Sequence, residues 1–550
     1  MRRRNVVILL TILLITTSIG FVIVRDSDSF FQVRRSIDLF GAVYKDVIAD
    51  YVDPVSPNQM MRKGIDAMLA SLDPYTVYMD KANSGEINLL TTGKYGGIGV
   101  SIAATEGKVI ITGIFDGYSA QRQGLRIGDQ ILKIDTVNVS SLKIDDVSNM
   151  IRGEAGTEVT LTIKRKGEEK PFKVVLVRSE VRLNAVSYYG IVDSNIAVIK
   201  LDEFSRGSDE EVRNALTDLM SRTSIKGIIL DLRNNPGGLL EDAVNIAELF
   251  VPKGSLIVMT KGRDPSSDRK YISDKDPLAP NVPMAVLVNG NSASASEIVT
   301  GCLQDLDRAV VVGDTSFGKG LVQTILPLGY DAQLKITTAK YYTPSGRCIQ
   351  KIHYGMERDG ENPILPDSLR KEFHTLDGRP VYASGGITPD STVLEQVPSN
   401  YVLQLLRGGY FFNFATDFRA DHDSIPASFS AGKAVLQEFR DYLRKHDFTY
   451  ISRLAEIIGD AHNLAEQSNY SSAIDGEIVA VSDKIRKDDV GLYEKNAKEI
   501  SELLTTEIIG RFRGNSAQTK ASLKYDNQVG VAESIIKNQS LYDQMLGFTH

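Results

Sequence analysis

The sequence is poor in cysteine and nearly balanced in charge, and both features exclude broad classes of protein. Its 550 residues include only two cysteines, Cys302 and Cys348, too few for a disulfide framework or a zinc-type cysteine cluster. Lysine and arginine number 63 against 70 acidic residues, and no basic stripe runs over the body of the chain, which argues against a nucleic-acid surface. Internal repeats and low-complexity tracts are also missing. A chain of this length exceeds the size of one hydrophobic core, so we expect three or four domains.

The N-terminus carries an uncharged apolar run of 19 residues, 6–24, which three arginines precede. That length can cross a bilayer, and the arginines place the short N-terminus in the cytoplasm and the remaining chain outside. A cleaved signal peptide is the alternative, but the run is longer than the usual apolar region of a signal peptide and no A-x-A-like site follows it. We therefore expect a membrane anchor within residues 1–29.

Four regions of different texture follow the expected anchor. Residues 30–90 have helical periodicity, and residues 91–178 consist of short β-branched runs between glycine turns. Residues 179–400 alternate strands with helices, which indicates a mostly parallel, covered sheet, and residues 401–550 are helix-leaning and charged. The predicted fold class is multidomain α/β, with a helical N-terminal region, an inserted β-rich module, an α/β core and a helical C-terminal extension.

Three serines on alternate positions lie in NGNSASASEI, residues 289–298, between the apolar run 284–288 and a predicted helix start. The middle one, Ser294, forms a capping box with Glu297 three residues on, which is usually only structural. The same position also places its hydroxyl beside unpaired backbone N–H groups and the positive helix end, where an oxyanion would be stabilised. Local sequence alone is compatible with both interpretations of Ser294, the structural one and the catalytic one.

A serine nucleophile needs a base, and all six histidines lie downstream of this segment. Lysine can replace histidine when burial lowers its pKa from about 10.4 toward neutrality. Lys319 lies between two glycines after a predicted strand, and we expect Phe317 beside it to keep water away. The segment 313–319 also fits G-x-x-x-x-G-K, most of a phosphate-binding loop, but Gly320 stands where that loop needs Ser or Thr and a strand-like run follows.

The motifs of residues 35–400, taken in order, resemble the carboxyl-terminal processing peptidases, also called tail-specific proteases. They are DPYTVYMD, GGIGVSI, GYSAQRQGLRIGDQILKID, LDLRNNPGGLLEDAV, NGNSASASEI, FGKGLVQ and YYTPSGRCIQ. Each motif is modest alone, but their combination in this order is highly specific. The resemblance implies a serine endopeptidase that cuts proteins near their C-termini and needs no metal or organic cofactor.

Position by position, the resemblance assigns the reactive residues. The nucleophile falls on Ser294, the general base on Lys319, and the glutamine that orients the lysine on Gln323. Ser292 and Ser296 are interpreted as hydrogen-bonding residues of the turn and of the first helical turn. A serine-lysine dyad is thus the predicted catalytic unit.

The resemblance also implies an oxyanion hole that pairs the amide of Ala295 with a glycine amide from NNPGG, either Gly237 or Gly238. The segment is a plausible strand-to-helix turn whose glycines permit amides to point at a substrate. Asp305 matches an aspartate of the family's helix after the serine, and a solvated carboxylate at the helix end is the equal alternative.

The β-rich module resembles a PDZ domain, which captures a C-terminal carboxylate with loop amides and adds the substrate tail to a strand edge. The loop residues are Gly96, Gly97, Ile98, Gly99 and Val100. Arg152 matches an arginine that links the PDZ domain to the catalytic core in some relatives, and surface solvation is the alternative. Protein substrates with accessible C-termini are therefore the expected partners.

Two regions depart from the family's pattern. Residues 351–384 form an insertion, interpreted as a lid or a docking loop, and residues 401–550 carry no assigned motif. The C-terminal helices could pack on the protease, mediate self-association or bind an adaptor. We expect a membrane-anchored enzyme on the periplasmic side of a bacterial-type inner membrane. The alternative, a PDZ scaffold without catalysis, is disfavoured because a pure binding module has no use for a lysine in a glycine turn.

Overall fold

The computed structural model describes most of the chain outside the N-terminal 29 residues. The described residues are 30–80, 94–105, 107–115, 117–182, 184–330, 332–354, 364, 366–468, 472–489 and 491–548. They fall into two units, residues 1–81 with 323–337 and residues 82–322 with 338–550. The expected anchor lies outside the described residues, and none of the described helices is long and apolar enough to cross a membrane.

Residues 30–80 of the first unit form two helices and a short strand, and the helices agree with the helical periodicity of this region. Helix α1 covers residues 30–50, α2 covers Pro57–Ala70 and β1 covers Val77–Met79. Proline at the first position suits the start of α2, because that residue's N–H has no intrahelical partner in any case. Strand β1 pairs antiparallel with residues 333–335.

The second unit begins with the β-rich module, residues 94–182. Its main sheet has the order β3-β4-β5-β7-β8, with β6 paired to β5, while β2 pairs separately with β9. The strands are β2 Lys94–Gly97, β3 Val100–Thr105, β4 Lys108–Ile114, β5 Gln130–Ile134, β6 Val137–Asn138, β7 Glu158–Lys164, β8 Phe172–Val177 and β9 Ser179–Arg182. Two short helices, α3 Ser119–Arg122 and α4 Ile144–Ile151, complete it. Buried and part-exposed residues alternate along β4 and β7, so one face of the sheet forms the module's core.

A six-stranded sheet of order β10-β11-β12-β15-β16-β21 lies at the centre of the unit. Only β10 and β11 are antiparallel neighbours, and the other pairs are parallel. The strands are β10 Val186–Val192, β11 Ile196–Leu201, β12 Gly227–Asp231, β15 Met284–Val288, β16 Val310–Gly313 and β21 Ser391–Thr392. The helices α5 Ser208–Arg222, α6 Leu240–Glu248 and α7 Ala295–Asp305 pack their apolar residues on one face. Every residue of β12, β15 and β16 is buried, as continuous apolar runs predict.

Further strands belong to sheets other than this one. They are β13 Leu256–Gly262, β14 Arg269–Ile272, β17 Leu321–Pro327, β18 Gln333–Tyr342, β19 Glu372–His374 and β20 Pro380–Tyr382. The hairpin β19–β20 belongs to the insertion 351–384. Arg379, which precedes β20, forms ion pairs at 2.7 Å with Asp307 and 2.6 Å with Asp390, so this part of the insertion is fastened to the core.

The described residues of the C-terminal extension form helices joined by loops, without a strand. Its helices are α8 Asn400–Arg407, α9 Tyr410–Asp421, α10 Lys433–Lys445, α11 Arg453–Gln467, α12 Ser472–Asp489, α13 Leu492–Lys495, α14 Ala497–Arg513, α15 Asn515–Ser522, α16 Asn527–Lys537 and α17 Gln539–Met545. Helices α8, α9, α10 and α14 share a core of their own. Helices α16 and α17 instead cover the second face of the central sheet. The multidomain α/β fold class is thereby confirmed. Of the roles expected for the C-terminal helices, α16 and α17 show packing on the protease core.

Candidate active site

Two turns meet at the carboxyl edge of the central sheet. Strand β12 is followed by the turn 232–239, and its parallel neighbour β15 is followed by the turn 289–294. Parallel neighbours end at one edge, which is where sites form in such sheets. Asn234 N donates to Asn289 Oδ1 and Asn289 Nδ2 donates to Asn234 Oδ1, both at 3.0 Å, so each turn holds the other.

The two flanking serines of the SASAS segment fasten these turns internally. Ser292 Oγ donates to the carbonyl oxygen of Leu232 at 2.8 Å, and Ser296 Oγ donates to that of Asn235 at 2.9 Å. Both serines are fully buried. Their hydroxyls are thus used within the fold, in keeping with the interpretation of these residues from the sequence.

Ser294 differs from its neighbours in backbone conformation and exposure. It is half-buried, and its φ of +57° with ψ of −112° lies where a residue with a side chain is strained. Its carbonyl oxygen accepts a hydrogen bond from the hydroxyl of buried Tyr341 at 3.1 Å. Strained residues of this kind persist only where the surroundings hold them, and they concentrate at functional sites.

Glu297 connects the Ser294 turn to the segment that carries Lys319. One carboxylate oxygen, Oε2, accepts from Ser294 N at 2.9 Å and from Lys319 N at 2.8 Å. The other, Oε1, accepts from Ser316 Oγ at 2.5 Å and from Gly318 N at 2.7 Å. Ser294 N and Lys319 N donate to the same oxygen atom, Oε2. These two backbone nitrogens therefore lie within two hydrogen-bond lengths of each other.

The Glu297 carboxylate is fully buried, and burial raises its pKa above the usual value for glutamate. Its hydrogen bonds with Ser316 and with the amides of the lysine segment oppose that rise. The sequence indicated this residue only as the helix-capping partner of Ser294. Its second role, holding a segment some twenty residues downstream, has no local sequence signal.

Lys319 is half-buried in the segment 314–320, which contains no helix and leads directly into β17. The strand after Gly320 agrees with the argument against a phosphate-binding loop, which would open a helix there. The side chain of Phe317 is 43% exposed, and its part in keeping water from Lys319 stays a prediction. Gly318, which lies between the two residues, has a φ of +88°.

The candidate oxyanion donors differ in whether their backbone N–H group already has a hydrogen-bond acceptor. Gly237 N donates to Asn235 Oδ1 at 2.9 Å and is therefore engaged. The amides of Gly238 and Ala295 donate to no group among the described residues. A Cβ on Gly237 would lie 2.9 Å from Ala295 N, which shows that the glycine turn reaches the helix start.

Gln323, the third predicted residue, belongs to the first unit, where its Nε2 donates to Thr337 Oγ1 at 3.2 Å. Its part in orienting the lysine stays a prediction. Asp305 is not a solvated carboxylate: it is buried, pairs with the buried Arg347 at 2.7 Å and accepts from Ser345 N at 3.0 Å. These contacts join the TPSGR turn, residues 343–347, to α7. The arginine also compensates the charge of Asp305, which would be costly if it were buried without a partner.

The β-rich module has a groove of about 400 Å³ between β3 and α4. Apolar side chains from both elements line it, including Val100, Ile102, Ile144 and Ile151. The exposed Arg152 also lines this groove, with its guanidinium 5.0 Å from the centre of the Tyr95 ring. This contact joins two residues of the β-rich module, Arg152 and Tyr95.

The predicted loop residues fall at one end of this groove. Ile98 and Val100 line it, and Gly99 has a φ of +81° that suits glycine. Gly96 and Gly97 lie in β2, opposite Glu180 and Ser179 of β9, so the turn itself is Ile98–Gly99. Among the described residues no group of His, Cys, Asp and Glu could hold a metal ion.

Three segments of the chain match known families. Residues 195–361 match "Peptidase family S41", residues 86–164 match "PDZ domain", and residues 401–536 match "Probable PDZ-protease, C-terminal helical domain".

Relatives among curated proteins match more than half of the chain. A carboxy-terminal-processing protease of Bartonella bacilliformis is 37% identical over 355 residues, which cover 64% of this chain and 80% of that protein. A "Probable CtpA-like serine protease" of Staphylococcus aureus is 34% identical over 318 residues, covering 58% of this chain and 63% of that protein. Among solved structures, the photosystem II D1 C-terminal processing protease shares 25% identity over 60% of this chain and 91% of its own, with a TM-score of 0.32.

Proposed function

Because the chain belongs to the carboxy-terminal-processing protease family, within peptidase family S41, we propose that it cleaves protein substrates near their C-termini through a Ser294–Lys319 dyad. The observation that carries this proposal is the pair of hydrogen bonds from Ser294 N and Lys319 N to one oxygen of Glu297. The backbone nitrogens of the proposed nucleophile and of the proposed base thereby donate to a common atom, which supports the pairing of these two residues.

In the proposed reaction the Ser294 hydroxyl attacks the scissile carbonyl carbon while its proton passes to the neutral amine of Lys319. The resulting ammonium then gives that proton to the leaving amine as the C–N bond breaks and an ester to Ser294 remains. Water attacks the ester and its proton passes to the lysine. The lysine returns that proton to the Ser294 oxygen as the ester C–O bond breaks, which releases the substrate's new carboxyl end and restores the serine and the neutral amine. Activity should rise with pH as the lysine loses its proton.

The developing oxyanion is assigned to the amides of Ala295 and Gly238. Both amides lack an acceptor among the described groups of the chain, whereas Gly237 N is engaged by Asn235. Free backbone donors at the point where charge develops stabilise the transition state more than the ground state.

The groove of the PDZ domain is proposed to receive the substrate's C-terminal tail. Its apolar lining favours an apolar terminal residue, and the turn at Ile98–Gly99 offers backbone amides to the carboxylate. We also propose that residues 6–24 anchor the chain in a bacterial-type inner membrane with the catalytic part on the periplasmic side, which the length of the run and the preceding arginines support.

Hydrolysis of a peptide with a free, apolar C-terminus tests this assignment. Ser294→Ala and Lys319→Ala should each lower turnover about 10³-fold or more, because each removes a member of the dyad. Matched controls are Ser224→Ala and Lys226→Ala, both exposed, which should leave turnover unchanged. Near-normal turnover in either dyad variant, with unchanged circular dichroism, would refute the assignment.

A serine-reactive covalent probe separates the protease from a PDZ scaffold. Labelling of the wild type that is lost in Ser294→Ala supports catalysis, whereas tail binding without labelling supports the scaffold. Amidation of the peptide's C-terminus should raise KM without abolishing turnover, because it removes the charge that the PDZ groove receives.

A further inference from the structure

A cavity of about 230 Å³ lies between the PDZ domain and the C-terminal helices, and no residue of the proposed protease site lines it. On one side its walls come from the loop 125–129 and from the end of β7, and on the other side from α9 and the α14–α15 junction. The two sides are in direct contact around it: Lys166 forms an ion pair with Asp417, and a Cβ on Gly128 would clash with the Thr416 methyl group. The cavity is thus a partly open space whose walls come from two parts of the chain, the PDZ domain and the C-terminal helices.

The lining is strongly basic, although the protein as a whole carries a net charge of −7. Its basic residues are Arg126, Arg165, Lys166, Arg419 and Arg511, and its acidic residue is Asp129. That carboxylate is already taken, because Arg165 binds it with two hydrogen bonds at 2.8 and 2.7 Å. Lys166 and Arg511 pair with Asp417 and Glu507, which lie outside the lining, so two of the five cations have no acidic partner among the described residues.

Arg511 is the most deeply placed of these cations, with a side chain only 3% exposed. Its polar contacts are long: Glu507 at 3.2 Å, Thr416 Oγ1 at 3.3 Å and the carbonyl oxygen of Phe412 at 3.5 Å. Burial lowers the pKa of its guanidinium in spite of the Glu507 charge. A buried cation with this incomplete compensation favours an anion beside it.

Arg126 and Arg419 face the cavity from opposite domains without an acidic partner among the described residues. The Arg419 guanidinium lies 4.6 Å from the centre of the Phe512 ring and donates to the carbonyl oxygen of His422 at 2.9 Å. Stacking on a ring fixes the plane of a guanidinium and leaves its other N–H groups for a ligand.

We propose that this cavity binds a compact phosphate-bearing anion, held by Arg126 from the PDZ domain and by Arg419 and Arg511 from the helices. A phosphate group suits it because several oxygens can accept from guanidinium groups that approach from two sides, which a single carboxylate cannot. Bound there, the anion ties the PDZ domain to the C-terminal helices, since its ligands come from both. This site is independent of the Ser294–Lys319 chemistry.

Titration calorimetry with inorganic pyrophosphate on the full chain, at matched ionic strength in chloride, tests the proposal. Arg126→Gln and Arg419→Gln should each weaken pyrophosphate binding about tenfold or more, the loss expected for one charge-assisted hydrogen bond. Arg122→Gln, an exposed arginine on α3 that does not line the cavity, should bind as the wild type does. Binding that is equal in all four proteins, or absent from the wild type, would overturn the proposal.

Two further readouts keep the outcome clear. Pyrophosphate should slow hydrogen exchange at Lys166 and in α9 of the wild type but not of Arg126→Gln, whose substituted side chain is exposed and not required for folding. Vesicles of phosphatidylglycerol identify the source of the phosphate: binding that Arg126→Gln weakens indicates a lipid headgroup, whereas unaffected vesicle binding together with Arg126-dependent pyrophosphate binding indicates a soluble phosphate. Exchange that does not change in the wild type contradicts the role in tying the domains.

Discussion

Glu297 shows how one buried carboxylate can position two reactive residues. Its oxygens accept four hydrogen bonds, and two of the donors are the backbone amides of Ser294 and Lys319. The strained φ of Ser294 is held in part by the first of these bonds. A residue outside the proposed dyad thereby holds the backbone at both of its members. Such support matters for rate, because misplacement by about 1 Å can cost about 10²-fold.

Glu297→Gln should lower kcat about 10²-fold and leave the KM for peptide nearly unchanged. The amide that replaces one oxygen must oppose at least one backbone N–H, because only the Ser316 hydroxyl among the four donors can turn away. We expect a stability loss of about 1–3 kcal/mol, the cost of a buried unsatisfied donor. Steady-state kinetics and thermal unfolding measure both effects, with the exposed Glu241→Gln on α6 as control. Unchanged kcat in Glu297→Gln would remove its positioning role.

The same residue gives a pH dependence of stability. Burial raises the pKa of Glu297 in the folded state above the unfolded value of about 4.3, so the folded state binds this proton more tightly. Its contribution is therefore fully present below about pH 4.3 and is lost as pH rises through the folded pKa. The difference in thermal midpoint between the wild type and Glu297→Gln should shrink from about pH 4 to about pH 8. A difference that grows with pH would mean that the four hydrogen bonds outweigh burial.

Local sequence singles out the proposed reactive residues more readily than the residues that hold them in place. Ser294 and Lys319 stand in short motifs whose neighbours fix their local conformation, and the resemblance names them directly. Tyr341, which binds the Ser294 carbonyl oxygen, is 47 residues away. No periodicity or motif links such positions, because only the folded sheet brings them together.

At the scale of elements, the turn 232–239, which carries the proposed oxyanion donor Gly238 and is called the oxyanion turn below, is fastened to the last helices of the chain. Arg233, at the start of this turn, pairs with Asp231 and with Asp526, each at 2.7 Å, and donates to Gln528 Oε1 at 2.8 Å. Burial alone would lower the pKa of its guanidinium, but the two carboxylates raise it. The turn that carries Gly238 therefore depends on contacts nearly three hundred residues downstream.

Asp526→Asn should lower kcat several-fold by loosening the oxyanion turn. The substituted side chain would still cap α16, since asparagine and aspartate are equally good N-caps, so the change removes only the charge that pairs with Arg233. We expect a stability loss of about 1–3 kcal/mol, typical of a hydrogen bond to a charged group. Glu533→Gln on the same helix, whose partner is the neighbouring Lys537, serves as control. Equal kcat in the two variants would contradict a link between α16 and the turn.

Sequence patterns predicted the elements of the central sheet but not what covers it. Continuous apolar runs indicate strands buried on both faces, and β12, β15 and β16 follow that rule. The apolar stripe of α16 has the same period whether it packs on a helix or on a sheet. The use of α16 and α17 as the second cover is therefore visible only in the structure.

At the scale of the whole molecule, the C-terminal extension contains parts with different roles. Helices α8, α9, α10 and α14 enclose their own aromatic core, whereas residues 523–546 complete the core of the central sheet. Helices α11 and α12 pack chiefly on each other and leave large apolar side chains exposed, among them Leu454, Leu464 and Val479. The extension is thus partly a domain of its own and partly a piece of the protease.

Two deletions distinguish these parts. Ending the chain after residue 522 should give an aggregated, inactive protein, because it uncovers the face of the sheet that Val529, Ile535 and Ile536 bury. At about 1.5–3 kcal/mol for each large apolar side chain, the loss is comparable with the whole stability of a domain, about 5–15 kcal/mol. Replacing residues 453–489 with a flexible glycine-serine linker should keep peptide hydrolysis within about twofold, since few buried contacts are lost. Soluble yield, thermal unfolding and peptide turnover measure the contrast, and a soluble, active protein ending at residue 522 would show that the sheet does not need its C-terminal cover.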